Sequence, residues 1–187
     1  MKFLPSSQSF FFLSFMVCIM AAYPSASLAQ GAGPAVKEAY FRAVGEHFAV
    51  SAEEVAIIGE WNLAPDEVPV VLFLARQAGV SPDALIGLRR RGLLWREVAG
   101  RFGLQPQAFH LTLPPGTNLG ALARAYGEFQ RLPVREWSQI LLEDHEVVAM
   151  VNLRVLSEQT GATPQEILLH FGEAGSFMAS YPLLLGG

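Results

Sequence analysis

Cysteine is almost missing from this chain: Cys18 is the only one in 187 residues. A single cysteine excludes an intrachain disulfide and a thiolate metal site. Catalytic signatures are missing too. There is no His-Glu-x-x-His, no Gly-x-Ser-x-Gly and no glycine-rich loop to cradle phosphate. No apolar run reaches the ~20 residues that a membrane-spanning helix needs. Positive charge is also short: 13 Lys and Arg face 17 Asp and Glu, for a formal net charge of −4. A domain that binds nucleic acid is usually basic overall.

What is present begins with the N-terminus. Lys2 precedes the thirteen-residue apolar run FFFLSFMVCIMAA (10–22), and Ser27 and Ala29 offer small residues at −3 and −1. This is the three-part build of a secretory signal peptide, so residues 1–29 are expected to be removed after Ala29. Phe15, Met16 and Val17 before Cys18 are not the small residues of a lipoprotein signal. The expected mature chain, Gln30 to Gly187, loses Lys2 and Cys18 and keeps 12 basic against 17 acidic residues, a net −5. Such a chain is expected in a bacterial periplasm, held together by a packed core of about one domain's size.

One phrase recurs. AVSAEEV (49–55), GVSPDAL (79–85), GLQPQAF (103–109) and GATPQEI (161–167) each run from a small residue through an apolar one to a capping residue and an apolar anchor. Glycine past a helix end accepts a left-handed conformation. Ser or Thr caps the next helix, and proline fits its first turn. Acids there complement the positive end of the helix dipole. Each phrase therefore reads as helix, tight corner, helix.

The chain reads as all-α, a multi-helical domain of repeated helix–corner–helix units. Helices are expected near 34–48, 52–60, 66–78, 82–90, 94–102, 118–130, 134–141, 144–160, 164–171 and 174–180. Asp66 is the expected N-cap of the third, which leaves Pro69 inside its first turn. In 144–160, Val148, Val151 and Val155 share one face. Pro114-Pro115-Gly116 cannot continue a helix, so 111–117 reads as a linker between a 30–110 unit and a 118–187 unit packed as one body. Leu111 and Leu113 suit a short extended piece.

The stretch RRRGLLWREVAGRFGL (89–104) resembles the second half of a helix-turn-helix, with Trp95, Val98, Ala99 and Phe102 on one stripe. Residues 76–101 hold six arginines against Asp83 and Glu97, a balance of +4, whereas residues 38–67 hold seven acids against Arg42, a balance of −6. The two could dock on each other. Glu97 and the lack of Asn or Gln on the second helix argue against base reading. Arg89, Arg90, Arg91, Arg96 and Arg101 are instead the expected contacts for an anionic partner, either a protein face or an envelope component.

Two clusters invite a metal or acid–base reading. Glu143, Asp144, His145 and Glu146 are consecutive, but neighbours on a helix point apart. Glu166, His170 and Glu173 lie at i, i+4 and i+7, one face of a continuous helix, and such a set could hold a divalent metal. The plainer reading makes the first a helix N-terminus and the second a polar face. His47 and His110 read as histidines at the edge of a core. Phe41, Phe48, Phe73, Phe102 and Phe109 fit inward positions, with an aromatic ligand cage as the other possibility for the rings.

Residues 67–104 and 135–161, above all LRRRGLLWREVAGRFG and VNLRVLSEQTG, resemble a group of exported helical proteins of Gram-negative bacteria. The segment 118–134 departs from that pattern. The resemblance implies an exported, all-helical chain and carries over no catalytic residue. Together these features favour a periplasmic, non-enzymatic helical domain with no cofactor and no membrane span after cleavage. The alternatives are an enzyme or metal-binding protein built on isolated acids and histidines, and nucleic-acid binding through the helix-turn-helix-like unit.

Overall fold

Corners organise this fold, and the four recurring phrases share a left-handed residue followed by an extended one; three open an α-helix as expected, whereas 103–109 opens only the 3-10 turn Pro106–Ala108. The computed structural model describes residues 33–186, so the expected signal peptide lies outside the described residues. At the corners Ala49, Gly79, Gly103 and Gly161 take φ values of 56°, 66°, 76° and 73°. Ser51, Ser81, Gln105 and Thr163 follow two residues later in extended conformation and start the next element. In three corners the intervening apolar residue donates its N–H back five residues, from Val50 to Gly45 O, Val80 to Ala75 O and Leu104 to Ala99 O. That is the bond that closes a Schellman-type helix end. The anchors Val55, Leu85, Phe109 and Ile167 are all at most 2% exposed. Each corner thus converts a local backbone preference into one buried side chain.

Among the described residues nine α-helices follow from these corners and from simpler breaks: α1 (Pro34–Phe48), α2 (Ala52–Gly59), α3 (Val68–Ala78), α4 (Pro82–Arg89), α5 (Trp95–Arg101), α6 (Ala123–Arg131), α7 (Asp144–Thr160), α8 (Pro164–Ala174) and α9 (Phe177–Leu184). The expected helix at 134–141 is a 3-10 segment, Val134–Gln139. Its Trp137 reaches back, and the indole N–H donates to Phe129 O and Leu132 O at 3.1 Å each. The expected helix at 118–130 begins as a 3-10 turn, Gly120–Leu122, and becomes α6. No strand forms among the described residues, so Leu111 and Leu113 are in plain loop. The described chain is all-α.

α7 is the axis. Sequence spacing puts Val148, Val151 and Val155 on one face, but Val148 is only partly buried and burial spreads further around the helix, to Val147, Ala149, Met150, Leu153 and Leu156. A helix buried over so much of its girth belongs inside a bundle, and α1, α3, α5, α8 and α9 all pack on it. The core therefore crosses the 111–117 loop without interruption.

Asp66 corrects the expectation for the third helix. Residues Pro65–Glu67 form a 3-10 turn, and α3 starts at Val68. The Asp66 carboxylate accepts the N–H groups of Phe177 and Met178 at 2.8 and 2.9 Å, so it caps α9 instead. Burial raises its pKa, and those two backbone donors work against the rise. Beside it, the Asn152 amide donates to Asp66 O and Val148 O, and its oxygen accepts the Tyr40 hydroxyl.

Candidate functional site: the α4–α5 corner

The three consecutive arginines have different fates. Arg89 closes α4 and turns inward; its side chain is 22% exposed. Its Nη2 and Nε donate to Glu67 Oε1 at 2.6 and 3.1 Å. Its Nη1 donates to Asp144 Oδ2 at 2.6 Å and to Leu93 O at 3.0 Å. The guanidinium lies 4.9 Å from the centre of the Trp95 ring, within reach of a cation–π attraction. Trp95 completes the knot: its indole N–H donates to Glu67 at 2.9 Å and its backbone N–H to Asp144 at 2.7 Å. Burial pulls the Arg89 pKa down, but the bonds to Glu67 and Asp144 outweigh it and the net shift is upward. Arg89 is therefore a structural clamp joining α4, the Pro65–Glu67 turn that leads into α3, the start of α5 and α7, and it does not belong to the exposed patch expected for Arg89–Arg91.

Arg90 and Arg91 face solvent in the turn that follows, and Arg101 is exposed at the end of α5. Arg96 is half-buried and donates to Leu142 O at 3.2 Å. Among the described residues no carboxylate lies within 4.0 Å of these four, whereas Arg42, Arg89, Arg124, Arg131 and Arg135 are all ion-paired. The acidic and basic segments do meet, and among the described residues the ion pair that joins them is Arg89–Glu67.

The helix-turn-helix-like stripe faces the core. Trp95, at the start of α5, is wholly buried, Val98 and Ala99 are buried behind it, and Asp144 accepts the Trp95 N–H. Glu97, Gly100 and Arg101 make up the exposed face of α5.

The second clamp sits on the other side of the α7 N-terminus. Arg124 pairs with Glu143 and with the fully buried Glu146, and donates to Leu141 O. Glu146 also accepts the Glu143 N–H at 2.8 Å. The run Glu143–Glu146 is thus a joint, with His145 turned to Glu143 at 3.4 Å.

The set Glu166, His170 and Glu173 does not assemble. The Glu166 carboxylate turns back to the N–H and hydroxyl of Thr163 at 2.8 and 2.9 Å. Those bonds, the backbone one first, hold its pKa below the usual carboxylate value. His170 pairs with Glu173 alone, at 3.1 Å. No three His, Cys, Asp or Glu side chains converge into a metal-holding group among the described residues. His47 is mostly buried and lies 3.2 Å from Glu158; burial lowers its pKa, and Glu158 opposes that.

Sequence reasoning missed the partners of Arg89, which lie 22 and 55 residues away. No spacing rule links such positions. No described protein family, curated protein or solved structure matches the chain.

Proposed function

We propose that this protein is an exported, periplasmic, non-enzymatic helical domain that binds an anionic partner, a protein face or an envelope component, through Arg90 and Arg91. Arg96 and Arg101 flank them on α5. One observation supports this reading above others: among the described residues the exposed guanidiniums of Arg90 and Arg91 have no carboxylate partner, while Arg89 just before them anchors the turn. A turn braced by Arg89 carries these side chains on a backbone that has little motion to lose on binding, which favours affinity. The signal-peptide features of residues 1–29 and the resemblance of 67–104 and 135–161 to exported helical proteins support the location.

The test is binding to vesicles containing phosphatidylglycerol, run beside in-cell crosslinking and pull-down from the envelope fraction. Each arginine near an anionic surface is worth about 1 kcal/mol, so Arg90→Ala with Arg91→Ala should weaken an interaction roughly 30-fold. Added salt should weaken the wild type in the same way. If the double variant holds vesicles and crosslinked partners as tightly as wild type at every salt concentration, the patch does not bind them. Fractionation with the cytoplasm, or an N-terminus other than Gln30 on the purified protein, would sink the export part.

A further inference from the structure

A second surface feature has a different chemistry. Between α6, the 134–139 segment and the loop 110–117 lies an open cleft of about 340 Å³. That is at the small end of the ~300–1,000 Å³ range for ligand pockets. Four rings are clustered in its walls. His110 packs against Trp137, Phe129 and Tyr126 with centroids 4.6, 4.7 and 5.5 Å away. The rings are fixed by their polar ends: Tyr126 donates its hydroxyl to Leu111 O at 2.8 Å, and Trp137 donates its indole N–H to two carbonyls. Arg154 holds the loop from behind through Ala108 O and His110 O at 3.4 Å.

The lining contains no Asp, Glu, Lys or Arg. Burial lowers the His110 pKa, which keeps the ring uncharged at neutral pH. The unused polar groups are neutral: the His110 ring nitrogens, the Thr112 hydroxyl and the Gln130 amide make no hydrogen bond to another described residue. His110 and Trp137 are half-buried and keep part of their rings open to the cleft, while Tyr126 and Phe129 are buried. Part-open rings together with neutral donors and acceptors suit a ligand with an apolar face and a hydroxylated rim. A pyranose ring has both, since its C–H face stacks on an aromatic ring and its hydroxyls need uncharged partners. No charged side chain in the lining would pair with an anion or a free cation; Arg154 stands behind the loop, outside the lining.

We infer that this cleft binds a neutral saccharide, one or two pyranose units long, stacked on the His110–Trp137 rings and hydrogen-bonded by Thr112 and Gln130. The site shares no residue with the arginine corner.

The indole N–H signals of Trp61, Trp95 and Trp137 report on three separate places. Cellobiose and chitobiose, each titrated into the full mature chain, should shift the Trp137 indole and the Gln130 side-chain amide saturably at millimolar sugar. Trp61 and Trp95 should stay still. Gln130→Leu and Thr112→Val should keep the wild-type melting temperature and bind at least ten-fold more weakly. The inference is overturned if neither disaccharide shifts Trp137, or if both variants bind as wild type does. It is equally overturned if triproline or tetramethylammonium shifts Trp137 and the sugars do not.

Discussion

The arginine corner and the ring cleft are built around the same device. In each, a guanidinium lies 4.9 Å from an aromatic ring, Arg89 over Trp95 and Arg154 over Phe73. In each it also takes backbone carbonyls, Leu93 O in one case and Ala108 O with His110 O in the other. The difference is the counter-charge. Arg89 holds two carboxylates, and its pKa rises. Arg154 has no ion pair among the described residues; burial lowers its pKa and nearby Tyr126 offsets part of that. The first arrangement makes a locked joint from charge. The second makes a loop support whose charge meets no carboxylate among the described residues and is felt by Tyr126 in the cleft wall.

That comparison can be broken most severely at Arg89. Arg89→Met would leave Glu67 and Asp144 part-buried without their cation, at about 3 kcal/mol. Thermal unfolding should drop by roughly 6–12 °C for a domain of this size. Arg154→Met should cost about 1 kcal/mol or less, because it removes two long hydrogen bonds and leaves no carboxylate behind. Equal losses from the two variants would show that the carboxylates are not what separates these sites.

The smallest effect concerns pH. Burial lowers the pKa of His110 in the fold, so the unfolded chain takes up a proton first. Its contribution to stability is complete above about pH 6.5 and is lost as pH falls through the lowered folded value. His47 acts in the same direction. Melting temperature should therefore fall between pH 7 and pH 5, and His110→Phe should fall less steeply. An unchanged slope would place the pH sensitivity elsewhere.

The legible part of this fold is its local part. Ala49, Gly79, Gly103 and Gly161 announce corners because each acts on residues within five positions of itself. The same locality explains the fate of the Glu166 candidate. The spacing Glu166–His170–Glu173 is right for one face, but the carboxylate takes its nearest donors, on Thr163. Arg89 reads in sequence as one of three equal charges, and only the arrival of Glu67 and Asp144 sets it apart. The cleft was hidden for a related reason. Pro114-Pro115-Gly116 has no periodicity and reads as a linker, although it forms one of the cleft walls.

Asp66 gives the fold an order of events. The donors it satisfies lie 111 and 112 residues further along. Closing a loop of that length is entropically costly and comes late in folding. Until Phe177 and Met178 arrive, the carboxylate has no reason to leave water, and the Asn152–Tyr40 bonds that meet its backbone have no fixed frame. A chain emerging from its N-terminus therefore keeps this node open until Phe177 and Met178 appear. α9 acts as a latch, and a chain cut before Ser176 would leave the centre unlocked.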